Sequence, residues 1–578
     1  KTRSTMKKGI IMPTLTRKSL LALAISTALI SGCNDDTKEV EVIKEVEVIK
    51  EVEVIKEVPA QEVTKVKNVI LMIGDGMGAQ QVGLLEEYAR RAPNSSYSSV
   101  NGKTALSKLG EAGQLGLSLN APYGESGSLV VDSACSATQL ATGLAAGSEM
   151  IGLDHNGNIV ETILEKAKQQ GKATGLISDT RITHATPAAF AAHQPHRSLE
   201  PEIAEQLISA GTVDVMLSGG ARVFLPSDIK TDTADQQVME DLGAPSSVYK
   251  KSKRSDNRNL VVEAKNDYGY ALAFDSEQLA ASEATKLLGL FANSEMQDGI
   301  AYSACKADDS CTQPSLRDMT LKALDILSKD EDGFFLMIEG GQIDWAGHVN
   351  DAGWMLHELI KFDEAVDAVY EWVKEREDTL VLVTADHETG SFGFSYSRKD
   401  LPEAQVLSGD GMNGREYKPN FNFGPLTTLD KLHAQTGTFY DIMTKVNADW
   451  DFSSTTGQQW ADAINAHSEI KVTVDQAEMI TKREVNEYHV ADHKYLSATE
   501  FPAILDFKEF YVYGDELHAN LVGRALAADQ NVVWGTGTHT AAPVPVYAFG
   551  PYGVTKQFST MQHHVEIGQK MMAALLSE

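Results

Sequence analysis

Three apolar runs in this chain each end in residues able to hold a metal ion. Val69 to Ile73 runs into Gly74-Asp75-Gly76-Met77-Gly78, Phe334 to Ile338 into Glu339, and Leu380 to Thr384 into Asp386, His387 and Glu388. Beyond Glu339, Asp344 and His348 stand four residues apart, so one helical turn puts both on one face where they could share an ion. Asp386 and His387 are adjacent, which suits a loop wrapped around an ion. His539 lies in the glycine-rich loop Gly535 to Thr540 and would carry little weight alone. Mixed nitrogen and oxygen donors suit Zn²⁺, and all-oxygen sets suit Mg²⁺.

A serine adds the second half of the chemistry. The apolar run Ser128 to Val131 stops at Asp132, and from Ala137 onward apolar residues fall at Leu140, Ala141 and Leu144, which is helical spacing. Ser133 therefore sits where an extended segment or strand gives way to a helix N-terminus, whose unpaired N–H groups and positive dipole end favour an anion. On this stretch alone, Asp132 or Ser133 reads as an ordinary helix cap. With metal-type ligands gathered elsewhere, a serine lacking an adjacent histidine can be activated by a metal instead. Ser133 is the candidate nucleophile, and a purely structural metal site would need no such residue.

The elements that must position these groups are strands alternating with helices. Val213 to Leu217 and Pro545 to Phe549 read as two further buried strands, and Ile159 to Gln169, Arg317 to Leu327 and Met355 to Val373 as helices. That alternation predicts an α/β fold, a three-layer αβα sandwich around a large, mostly parallel sheet, with ligands at the carboxyl ends of its strands.

The remainder sets the context. With 578 residues, 42% of them hydrophobic, the chain can bury a large core. A net charge of -30 argues against nucleic acid as a partner. Residues 1–32 read as a lipoprotein-type signal. Lys7, Lys8, Arg17 and Lys18 precede the apolar stretch Leu20 to Ile30, which is too short for a transmembrane helix and ends in Ser31-Gly32-Cys33. Cys33 would carry the lipid, and Asn34 after it favours the outer membrane or cell surface. The hexapeptide Glu-Val-Glu-Val-Ile-Lys, three times from Glu39 to Lys56, makes 33–63 a charged, extended tether. In an exported chain Cys305 and Cys311 are expected to be bridged, whereas Cys135 reads as structural.

Asp75-Gly76-Met77-Gly78, Asp132-Ser133-Ala134, Thr183-His184-Ala185-Thr186-Pro187, His196-Arg197-Ser198, Glu339 to His348, Thr384-Ala385-Asp386-His387 and Gly537-Thr538-His539-Thr540 occur in the order of alkaline phosphatase motifs, and the chain resembles that family from about Val66 onward. His184 with Thr186, Trp345 and the long segment before His539 look especially like its marine-bacterial, Vibrio-type members. The resemblance implies a homodimer that hydrolyses phosphate monoesters through a phosphoserine. One Zn²⁺ would be held by Asp344, His348 and His539 and would bind the leaving oxygen and then water. A second, on Asp75, Asp386 and His387, would lower the pKa of Ser133. A Mg²⁺ would use Asp75, Thr186 and Glu339, with His184 reaching it through water and Trp345 nearby. Arg197 would fork two phosphate oxygens; an ion pair with Glu200 or Glu202 is its plain alternative. A phosphodiesterase lacking the third site, or a non-catalytic metal-binding surface lipoprotein, are the rival functions.

Residues 400–505, between His387 and His539, are too long for a loop and hold Tyr417, Phe421, Phe423, Tyr440, Trp450, Phe452 and Trp460. They read either as a small subdomain or, as the resemblance implies, as a clasp around a second subunit. Asp451 to Ala466 is expected to be helical within it.

Overall fold

Long apolar runs form the centre of the sheet because both faces of each strand are covered. Alternate residues of the strand Asn68–Gly74 divide between two cores: Ile70 and Met72 face one, Val69, Leu71 and Ile73 the other. Phe334–Gly340 and Thr379–Thr384 divide in the same way. Continuous hydrophobicity is thus the mark of a period-two strand buried twice.

The computed structural model describes residues 65–123 and 127–576, which belong to one compact unit. The signal, the tether and Cys33 lie outside the described residues. Ten strands form the main sheet: β1 (Asn68–Gly74), β2 (Gln114–Leu119), β3 (Ala173–Arg181), β4 (Val215–Gly219), β5 (Ala271–Ala273), β6 (Leu287–Leu290), β7 (Phe334–Gly340), β8 (Thr379–Thr384), β9 (Val544–Phe549) and β10 (Met561–His563). Their spatial order is β10-β2-β9-β8-β1-β7-β3-β4-β6-β5. Helices cover both faces, as the αβα expectation requires. The expected strand at Pro545 to Phe549 exists, but β9 runs antiparallel to both neighbours and against every other strand of the sheet.

Two expected helices begin later than their apolar spacing suggests, for one reason. In Ile163–Gln169, Thr162 accepts from the Glu165 N–H while Glu165 accepts from the Thr162 N–H, and this capping box stops the helix from extending back to Ile159. Thr456 and Gln459 do the same, so the expected Asp451 to Ala466 helix is Gly457–His467. Ser128 to Val131 forms no strand. Leu129 lies 86% exposed and only Val131 is buried, so that run serves as a surface loop.

The 400–505 segment is fused to the main core rather than packed alone. Phe439, Ile442, Phe452 and Trp460 join the same buried cluster as Trp354 and Met355 of the long helix Ala352–Val373. Asp351, which caps that helix, also accepts from Gln435 Nε2 at 2.9 Å and the Phe439 N–H at 3.0 Å. Tyr417, Phe421 and Phe423, by contrast, stay exposed. Cys305 and Cys311 form a disulfide, and Cys135 is a buried free thiol.

Candidate active site

Strand register brings the ligand residues together. Ile73 of β1 pairs with Glu339 on one side and Thr384 on the other, so Asp75, Glu339 and Asp386 leave three adjacent strands at one edge. The next turn must be tight. Gly76 has φ +72°, and a Cβ there would lie 2.7 Å from the Asp344 Cα. The helix Gln342–His348 presents Asp344 and His348 on one face, with His348 Nε2 3.3 Å from Asp344 Oδ2. His539 arrives from far along the chain. A short antiparallel pair aligns it with Thr389 and stacks its ring on His387 at 3.5 Å.

The imidazoles are oriented by their outer nitrogens. His348 Nδ1 donates to the Gly537 carbonyl and His539 Nδ1 to the Val131 carbonyl, each at 2.8 Å. Thr389 gives its hydroxyl proton to Asp344 at 2.5 Å, so its oxygen accepts from His387 Nδ1 at 3.3 Å. All three Nε2 atoms therefore turn inward, toward Asp75, Asp344, Asp386 and one another, the arrangement in which histidine binds a metal. Without a cation, a proton takes that place on His348 and none does on His539. Although burial opposes it, Asp344 raises His348 to about 9, while burial and the neighbouring His387 push His539 down to about 3. His387 lies between the expected sets, its ligand atoms gathering with Asp75 and Asp386 and also with Asp344 and His539.

A third group forms where Asp75, His184 and Glu339 converge. Both Asp75 carboxylate oxygens, Thr186 Oγ1 and Glu339 Oε1 are buried without a hydrogen-bond partner. Burial, with Asp386 and Asp344 close by, raises the Asp75 carboxyl well above its usual range, and burial lifts Glu339 to about 7. Unpaired carboxylates in a dry site call for cations, so these residues fit metal ions. Glu339 Oε2 is already taken by the hydroxyls of Ser178 and Thr180. Arg197 donates to His184 Nε2 at 3.2 Å, which leaves the His184 proton on Nδ1. That atom is a donor and not a ligand, so it suits contact with an ion through water.

Ser133 opens the helix Ser133–Thr142, and its Oγ lies 3.2 Å from His387 Nε2. Asp132 is the cap, accepting from the Ala134 and Cys135 N–H groups. The same carboxylate holds Arg197 at 3.1 Å, so one residue fixes both the serine and the guanidinium beside it. Glu200 is occupied by Arg181 and Thr183, and Arg197 does not pair with it. Trp345 stands edge-on to His184 at 5.9 Å.

Behind Glu339 lies a buried ion triad that its motif did not reveal. Lys361 Nζ is 3.1 Å from Asp179 and 2.5 Å from Glu358, and Asp179 accepts from the Gly341 N–H at 2.7 Å. Lys361→Met would leave two buried carboxylates without their cation. The expected cost is about 3–5 kcal/mol, read from denaturant unfolding. A loss below about 1 kcal/mol would show the triad is dispensable.

Fold and site together define a metal-dependent hydrolase on a doubly covered α/β sheet. The family model described as alkaline phosphatase matches residues 66–577, and the chain belongs to the alkaline phosphatase family. Alkaline phosphatase 4 of Bacillus subtilis is 30% identical over 496 residues, which is 85% of each chain. A cold-active alkaline phosphatase from a psychrophilic Shewanella superposes with a TM-score of 0.61 at 25% identity, covering 88% of this chain and 99% of that one. The Thermus thermophilus alkaline phosphatase superposes at 0.65, with 23% identity and coverage of 89% and 92%. This protein hydrolyses phosphate monoesters.

Proposed function

We propose that hydrolysis runs through a phosphoserine on Ser133. The observation that carries this is the convergence of Ser133 Oγ with three inward-facing Nε2 atoms and buried, unpartnered carboxylates. Asp344, His348 and His539 would hold one Zn²⁺, Asp75, Asp386 and His387 a second, and Asp75, Thr186 and Glu339 a Mg²⁺. Such ions supply Lewis acidity and lower the pKa of hydroxyl groups. Ser133 Oγ bonds to phosphorus as the bond to the alcohol breaks, and the alcohol oxygen takes up a proton. Water then bonds to phosphorus, the Oγ–P bond breaks, and Ser133 regains its proton as phosphate leaves. Arg197, held by Asp132, would bind two non-bridging oxygens with its planar fork.

Monoesters are favoured over diesters because the third ligand group and Arg197 suit a dianionic phosphoryl group. Arg197→Lys keeps the charge but loses the fork. Monoester kcat/KM is expected to fall roughly 10- to 100-fold, and diester turnover far less. An equal drop for both would remove Arg197 from the phosphate. Kinship with the Vibrio-type members is supported by the contact of His184 with Trp345.

The chain is further read as a lipid-anchored homodimer at the periplasmic face of the outer membrane or the cell surface. Ser31-Gly32-Cys33 supports the anchor. The exposed Tyr396 ring, 5.4 Å from Phe421 and 5.1 Å from Phe423, which are exposed too, supports a second subunit closing over the insert. Cys33→Ser should release activity into the soluble fraction, where sedimentation should find a dimer. Soluble wild-type activity would overturn the anchor, and a monomer would overturn the clasp.

A further inference from the structure

We propose that the cleft beside Trp345 is a leaving-group subsite that selects phosphate monoesters whose alcohol carries a compact cation, a quaternary or primary ammonium group. This rests on the phosphomonoesterase reading and names a substrate class for it. The cleft, of about 530 Å³, is lined by Glu295, Gln342, Trp345, Tyr440, Asp441 and Glu516 among others. It begins at the catalytic rim, since Trp345 follows the ligand Asp344 and touches His184. An alcohol leaving from the side of Asp344 and His348 would meet it.

Charge and aromatic surface in this cleft point to a cation. Glu295, Asp298, Asp441 and Glu516 line it, and among the described residues no lysine or arginine does. The Arg181 guanidinium lies 6.0 Å from the Trp345 ring, bound to Glu200 at 2.9 Å and 4.0 Å from Glu295. Asp298 caps one helix, Asp441 is the capping-box partner of Thr438 at the start of another, and Glu295 accepts the Ser294 hydroxyl. Glu516 differs: its Oε2 is shut off from solvent and has no hydrogen-bond partner. The half-buried Glu516 carboxylate pairs with no protein cation through that oxygen, and a substrate ammonium would supply a counter-ion. Trp345 and Tyr440 add ring faces, Tyr440 being braced edge-on against Trp354 at 5.8 Å and stacked on Trp450 at 5.6 Å. Aromatic rings with a carboxylate are the surface that binds alkylammonium groups.

The test compares choline phosphate with 3,3-dimethylbutyl phosphate, which has the same shape without the charge, on the metal-loaded full chain. Choline phosphate is expected to show a kcat/KM roughly 10-fold higher. Glu516→Gln should bring the two esters to near parity, whereas Glu377→Gln, which removes the same charge from an exposed bend, should keep the ratio. Tetramethylammonium should compete with choline phosphate in the unaltered protein, a readout independent of any variant. Equal kcat/KM for the two esters, or a ratio that survives Glu516→Gln, would overturn the subsite. If neither ester is hydrolysed, the phosphomonoesterase reading itself falls, and the subsite with it.

Discussion

Ser133→Ala is expected to abolish the trapped phosphoenzyme and to lower kcat by roughly 10³- to 10⁶-fold, the range seen when a nucleophile is removed from a catalytic unit. The fold should survive, because Asp132 and not Ser133 caps the helix. The hydrogen bond lost is the one from Oγ to His387, and the ligand residues keep their own partners. Metal content by elemental analysis should therefore match the unaltered protein. Rapid-quench kinetics decide the matter. A product burst of equal amplitude in the variant would show that the covalent step does not pass through this serine.

Removing the metals should be as damaging. Dialysis against a strong chelator is expected to bring phosphate release to background, with recovery on adding Zn²⁺ and Mg²⁺ together. The physical ground is the buried set of Asp75, Glu339, Asp344 and Asp386, several of whose oxygens have no partner. Stability should fall with activity. An ion held at a thousand times its Kd contributes about 4 kcal/mol. For a folded unit of this size that is roughly 4 °C of Tm per ion. Activity that persists through chelation would refute the metal-dependent reading. Full recovery with Mg²⁺ alone would overturn the zinc assignment while leaving the third site intact.

Part of this could be read from residues alone, and the reason is local. Asp75, Asp386 and His387 directly follow strands and Glu339 ends one, and a strand buried on both faces shows itself as an unbroken apolar run, as at Val69 to Ile73 and Leu380 to Thr384. Asp344 and His348 obey a helical period and do share a face. Elsewhere a hydrogen bond outranks the apolar pattern. The capping boxes at Thr162 and Thr456 set helix starts that spacing placed earlier.

The sequence by itself determined the ligand types, the strands that carry them and the alternation of strand and helix, because these depend on neighbours a few residues away. Only the tertiary structure decided how they meet. Strand direction at β9 follows from pairing with β2 and β8, not from its own residues. His539 lies over His387 because a two-residue bridge closes a gap of about 150 positions, most of it insert. Asp132 joins Ser133 to Arg197, Thr389 joins Asp344 to His387, and Lys361 stands behind Glu339. Contacts of this kind are made between groups distant in the chain, and they leave no period or motif to read. They exist because burial removes water from polar groups, which must then find each other across the fold.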